Sequence, residues 1–433
     1  MIKANNFLGL NLLFSFALAV KERVDNKMKN RWLQFFVLYF SALAIGLNQF
    51  KVPPIMGNIA QAFQVDITSV AWLMSVFTVA GIILSIPSAK LLGKIGPKKM
   101  GIILILLLAV GSLIGAIAPN FTILLISRII EGISFAWIML LGMVLISCWF
   151  KPEEMGIPTG IFVTFPALAP FITYRFGAQI AANTAWNSLW YIGAGIAAIA
   201  LLLFIITIKV PKMESGPQAV AGEPISFIEA FKNGKSLILG IMQGMVAFVL
   251  YNYLTLYPQI FTNFYNVDPL KANSYSSIFG LFALVMCILS GVIISKAKKT
   301  NMIIFISFIG LAISVALTFK LTPGLYIVHT LLIAIFASLI IPSVMTLAPI
   351  VAKKPSLIGY SVGIVNFFYY IGAFISPPII TNIVAANNGN WPSANLLLVG
   401  VTVCGILVSL IYFVVNKKKV YQARIDDSEI KTS

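Results

Sequence analysis

Ser127-Arg128-Ile129-Ile130-Glu131-Gly132-Ile133-Ser134 sets a guanidinium and a carboxylate three residues apart inside an apolar run from about Phe121 to Phe150. A run of that length spans a bilayer as a helix, where a charge near the middle costs about 3 kcal/mol unless it meets a partner or water. The spacing puts both groups on one helix face, so they can pair and point together into a bundle interior. Two chemistries fit. Glu131 takes up and releases a proton while Arg128 holds its charged form or binds an anion, since a nearby cation favours a carboxylate's ionised form and desolvation opposes it. Alternatively the pair is a fixed structural one that positions the helix and never titrates.

Other polar groups sit in similar surroundings. Lys51, just before Pro53-Pro54, reads either as a cationic anchor for an anion or as a lysine snorkelling to the outer interface. Arg175 reads as a second anion ligand, its planar fork suited to carboxylate or phosphate, or as a headgroup contact. Tyr251 and Asn252 lie deep in an apolar run with Gln243 and Tyr253, and are expected to line a cavity; Tyr257 belongs to an interfacial aromatic belt. Asn366 and Tyr370, one turn apart, share a face on a later run. His329, Trp186 and Trp190 read as interfacial residues. Cys148, Cys287 and Cys404 are singletons, which with a lone histidine in the chain predicts no disulfide framework and no metal site.

The elements that must hold these groups are membrane helices. The chain has 433 residues, 59% hydrophobic and only 10% charged, against roughly a quarter charged in soluble domains. Twelve apolar segments are expected, at about 31–57, 67–93, 98–118, 121–149, 155–181, 187–209, 236–262, 271–296, 300–320, 324–351, 357–384 and 393–416. The formal charge of +17 is spread over short lysine clusters between these segments, which reads as topology rather than as a nucleic-acid surface. Lys94, Lys98, Lys99, Lys151, Lys209, Lys212, Lys232, Lys235, Lys296, Lys298, Lys299, Lys353, Lys354 and Lys417–Lys419 fall on one set of connections, so both termini are expected in the cytoplasm. Residues 1–30 read as a cytoplasmic or interfacial lead-in, 31–209 and 236–416 as two six-helix bundles, 210–235 as a cytoplasmic linker with a short helix at Ser226–Phe231, and 417–433 as a cytoplasmic tail.

A repeat accompanies that division. Ala89-Lys90-Leu91-Leu92-Gly93-Lys94-Ile95-Gly96-Pro97-Lys98-Lys99 has a counterpart at the same hairpin of the second bundle, Gly291-Val292-Ile293-Ile294-Ser295-Lys296-Ala297-Lys298-Lys299. Two equivalent halves about a pseudo-symmetry axis suit alternating access.

These residues resemble the major facilitator superfamily over roughly 31–416. Leu91, Lys94, Gly96 and Lys98 fit its loop pattern G-x-L-x-D-R-x-G-R-K, while Gly93 stands where relatives carry the acid, so this loop is expected to close by helix packing and lysine contacts. Arg128, Gly132 and Ala136 fit R-x-x-Q-G-x-G-x-A, with Glu131 replacing the amide. The eleventh segment, with Gly359, Gly363, Asn366, Gly372 and Pro377, is also similar. The fifth lacks the G-P-x-x-G-G of many drug/proton antiporters. Asn48 to Pro54 resembles, more weakly, an N-L-R-P segment of cyanate- and nitrate-like carriers.

The resemblance implies an all-α fold of twelve helices and a secondary transporter of the plasma or inner membrane. Lys51, Arg128 and Arg175 against Glu131 favour a small anion moved with protons, with Glu131 as coupling acid and Tyr251, Asn252 and Asn366 at the substrate. A proton-coupled efflux antiporter with a more aromatic, less basic site is the alternative, and a transporter-like ligand sensor a remoter one. The chain is expected to be a monomer without cofactor, nucleic-acid partner or enzymatic activity.

Overall fold

The structure, a computed structural model, describes residues 30–84, 88–151, 154–210, 231, 233–296, 299–352 and 357–430, of which 88–90, 358 and 415–430 by backbone alone. Twelve helices long and apolar enough to cross a membrane are present among them. They are α1 (Asn30–Phe63), α2 (Ile67–Leu84), α3 (Pro97–Ala116), α4 (Phe121–Trp149), α5 (Gly156–Asn183), α6 (Ser188–Thr207), α7 (Gly234–Asn263), α8 (Pro269–Lys296), α9 (Thr300–Leu317), α10 (Pro323–Ile350), α11 (Gly359–Ala386) and α12 (Trp391–Val414). The expected lead-in and most of the linker, including Ser226 to Ala230, lie outside the described residues.

Local chemistry explains the boundaries. The Asn120 side chain accepts the amide of Ile123 at 3.0 Å and starts α4. Asp66 starts α2 in the same way, accepting from the Ser69 amide at 2.7 Å. Before α3 the chain turns at Gly96, φ +83°, a left-handed conformation that favours glycine, and Pro97 opens the next helix. The second segment is described in two parts, α2 as far as Leu84 and a helix at Ser88–Ile95 that carries the amphipathic remainder, with 85–87 outside the described residues. The last helix continues beyond its membrane span, running from Trp391 to Ile430.

Packing repeats between the halves. In the first, α4 packs on α2 and α3, and α3 on α6; in the second, α10 packs on α8 and α9, and α9 on α12. Between halves, α2 packs on α11 and α5 on α8, contacts that exchange when each helix is swapped for its counterpart six places along. Close crossings depend on small residues. At Gly132 a Cβ would collide with the Phe77 carbonyl of α2, and at Gly280 one would come within 2.6 Å of the α5 backbone at Ala167 and Phe171.

The α2–α3 connection with Lys94, Lys98 and Lys99, the α4–α5 connection with Lys151, and the ends of α6 and α8 share one face, here termed the basic face; the other is the distal face. Side-chain hydrogen bonds that join the halves lie at mid-depth and toward the distal face. Gln49 of α1 donates to Tyr251 of α7 at 2.9 Å, Arg175 of α5 to Ser274 of α8 at 2.9 Å, Asn273 to the Pro54 carbonyl at 3.3 Å, and Tyr174 to the Leu254 carbonyl.

Candidate functional site

The site begins with a break in α1. Helical from 30 to 50, the chain leaves the helix at Lys51 and Val52, makes a short 3-10 turn at Pro53–Ile55, and resumes as a helix at Met56–Phe63. Pro53 has no amide proton for the Gln49 carbonyl four residues earlier. Arg128 of α4 supplies one: Nη2 donates to the Gln49 carbonyl at 2.9 Å, Nη1 to that of Asn48 at 2.6 Å and Nε to that of Leu73 in α2 at 3.1 Å. A guanidinium suits this work because its donors are fixed in a plane.

The same break turns Lys51 inward. Its ammonium donates to Glu131 Oε1 at 2.7 Å, Asn48 Oδ1 at 2.8 Å and Ser112 Oγ of α3 at 2.8 Å, which uses all three N–H groups. Arg128 Nη1 reaches the other Glu131 oxygen at 2.6 Å. The side chains of Arg128 and Glu131 are 0% exposed and that of Lys51 3%, so the three charges form one closed group inside the first half. Trp190 covers Lys51, 4.5 Å from ring centre to ammonium, and Phe77 covers Arg128 at 4.3 Å.

Several sequence expectations change here. Arg128 and Glu131 do pair, but Lys51 joins them instead of snorkelling outward, because the proline break points it at the carboxylate. Trp190 is fully buried against that lysine rather than anchored at an interface. Arg175 is exposed near the distal face and bonds to Ser274, away from the three charges. His329 is also buried: Nε2 lies 2.8 Å from the Ser314 carbonyl, and Nδ1 meets the hydroxyl of Tyr257. Tyr257 therefore belongs to the interior of the second half and not to an aromatic belt, because the histidine offers it a buried partner.

Between the halves the surface is aromatic and amide-bearing. Trp72 of α2 meets Phe374 of α11 with ring centres 5.7 Å apart, Phe135 of α4 meets Tyr370 at 6.3 Å, and Tyr251 meets Tyr369 at 6.0 Å. Phe77 links this wall to the charged group, lying 5.8 Å from Phe135. Tyr251 and Asn252 are buried, and neither polar atom of the Asn252 side chain has a partner among the described residues; Gln49 Oε1 is likewise unpartnered. Asn366 is half-buried one turn before Tyr370.

In the α2–α3 connection Gly93 and Lys94 are exposed, Leu91 and Gly96 are half-buried, and Lys98 donates to the Ile205 carbonyl at the end of α6 at 3.1 Å, a contact within its own half. Sequence reasoning missed Ser112, Trp72, Phe135, Tyr369 and Phe374. Ser112 stands alone among apolar residues in α3 and could have been noticed; the aromatics carry no such mark in a chain with 32 phenylalanines.

Comparison with known proteins places this arrangement. The model of the Major Facilitator Superfamily matches residues 38–377. The chain is 24% identical over 220 residues to an uncharacterized MFS-type transporter, YhcA, of Bacillus subtilis (strain 168), covering 51% of this chain and 41% of that protein. It is 23% identical over 207 residues to azole resistance protein 1 of Saccharomyces cerevisiae, covering 46% and 34%. To a probable sugar efflux transporter of Helicobacter pylori (strain G27) it is 24% identical over 298 residues, covering 63% and 74%. The chain spans less than half the length of the first curated relatives it matches. With twelve membrane helices and a family match over most of its length, the chain belongs to the Major Facilitator Superfamily.

Proposed function

We propose that the chain is a proton-coupled secondary transporter that exports a small, largely apolar organic molecule, working by alternating access between the six-helix bundles 31–209 and 236–416. The carrying observation is the separation of charge from the interface. The buried cations of the first half, Lys51 and Arg128, are consumed by Glu131 and by backbone carbonyls behind Phe77, whereas the halves meet through Trp72, Phe374, Phe135 and Tyr370, with Arg175 crossing only toward the distal face. An aromatic wall with a few hydrogen-bonding groups suits a neutral or heteroaromatic cargo. Gln49, Tyr251, Asn252 and Asn366 supply polar contacts that fix its orientation. The buried charged group, which couples to α1 through both side chain and backbone, is the proton-responsive part. Export agrees with relatives whose printed names are azole resistance protein and sugar efflux transporter. The lysines on the basic face support a cytoplasmic orientation of that face and of both termini, with the protein in the plasma or inner membrane.

A small anion moved with protons is the second reading. It is favoured by the positive excess of the charged group, two cations against one carboxylate.

The test is reconstitution in proteoliposomes with an imposed pH gradient and three kinds of cargo: a radiolabelled neutral azole, a monosaccharide, and nitrate or formate. Gradient-driven azole movement that alanine at Trp72 abolishes is expected. Movement of nitrate or formate alone would replace this reading with the second.

A further inference from the structure

We infer that Lys51, rather than Glu131, takes up and releases the coupling proton; the inference rests on the proton-coupled reading above. It follows from the charge count and from the hydrogen-bond geometry around the ammonium. Lys51 is faced by Asn48 of its own helix, Ser112 of α3, Glu131 and Arg128 of α4, and the Trp190 ring of α6. Of these, Glu131 and Arg128 are the charged or titratable groups.

Two cations and one carboxylate leave the sealed group with a net single positive charge. An uncompensated charge away from water is costly, and the group can shed it in one way. Arg128 keeps its proton under all ordinary conditions. Protonating Glu131 would double the positive charge, and both of its oxygens already face N–H donors. Release from Lys51 instead makes the group neutral.

The surroundings suit both forms of Lys51. As an ammonium it donates to Glu131, Asn48 and Ser112. On release, one N–H bond breaks, its electron pair stays on nitrogen, and the proton passes to a water molecule that reaches the group when the halves move apart. The neutral amine keeps two donors for Glu131 Oε1 and Asn48 Oδ1. Its new lone pair can accept from Ser112, whose hydroxyl now points to Asn48 Oδ1 at 2.9 Å or the Trp190 carbonyl at 3.1 Å and needs only to rotate. Glu131 is then a fixed counter-ion that positions both cations. The step also has a mechanical outlet, because Lys51 sits at the break in α1, two residues from the Gln49 side chain that crosses to Tyr251.

Trp190 provides a readout that does not depend on transport, since an ammonium over an indole perturbs its emission and a neutral amine does so far less. Fluorescence of the purified full-length protein is recorded from about pH 5 to about pH 9, and the Trp190→Phe spectrum is subtracted to isolate this ring. The expected result is a single-proton transition in wild type, displaced to lower pH in Glu131→Gln because the counter-ion is gone, and absent in Lys51→Met, with pH-gradient-driven azole accumulation lost in Lys51→Met. A Trp190 signal that stays flat in wild type, which requires no variant to fold, while the gradient still drives azole accumulation overturns the assignment. So does accumulation that survives Lys51→Met. If instead the Trp190 signal titrates through Lys51 but wild type ignores the gradient, the proton-coupled reading fails, and with it the coupling role of Lys51.

Discussion

Arg128 donates to the Gln49 carbonyl at 2.9 Å, in place of the backbone amide that Pro53 lacks. One side chain therefore repairs a helix on α1 and binds the carboxylate of its own helix at 2.6 Å. Lysine in its place would keep the charge but could not serve the carbonyls of Asn48, Gln49 and Leu73 together. Arg128→Lys is expected to destabilise the first half by ~3 kcal/mol, the range for disturbing a buried pair and orphaning its partners. Thermal unfolding in detergent checks this; a midpoint within experimental error of wild type would show that the carbonyls find other donors.

A second ion pair holds the basic face. Arg31 at the start of α1 grips Glu154, just ahead of α5, with contacts of 2.7 and 3.3 Å, and lies over Phe150 at 5.0 Å. The hydrogen bond from Arg31, followed by that from the Lys151 amide, holds the Glu154 carboxyl below its ordinary value. A carboxylate depressed in the folded state contributes stability above its unfolded pKa and loses that contribution as pH falls through the folded value. The pair is solvent-exposed, so the effect is small and sensitive to salt. Glu154→Gln is expected to lower the unfolding midpoint slightly at neutral pH and to match wild type once the pH is well below the carboxylate range. A difference that persists unchanged in acid would assign the effect to packing on Phe150 instead.

How much of this could be read in the sequence depended on whether the signal was local. The twelve spans, the basic face and the Arg128–Glu131 pair follow from runs, charges and spacing within single segments. The position of Lys51 does not, since its partners Ser112 and Glu131 are 61 and 80 residues away. Only the three-dimensional crossing of α1, α3 and α4 at the proline break brings them together. His329 failed for a related reason: lying near a helix end suggested an interface, while Tyr257, 72 residues away, keeps it inside. Aromatic residues were the least legible, because a membrane helix offers phenylalanine equally to lipid, core and substrate.

Gln49 connects the charged group to the opposite half. Its carbonyl is held by Arg128, and its side-chain amide donates to Tyr251 at 2.9 Å across the interface, on the side where Arg175 meets Ser274. That bond belongs to the conformation described here, in which the halves are bonded to each other on the distal side, and moving them apart there must break it. A net worth of about 1 kcal/mol for such a bond corresponds to a roughly fivefold change in the balance between conformations. Gln49→Leu and Tyr251→Phe are each expected to raise the opening of the distal face by that factor, and the double variant to go no further, since the same bond between the halves is lost in all three. Opening is measured as the rate of maleimide labelling of a cysteine placed at Ser274, with Cys148, Cys287 and Cys404 replaced by serine. Labelling rates equal to that of the parent would separate the Gln49–Tyr251 bond from the conformational equilibrium. Additive rates in the double variant would mean that the two residues act through different partners.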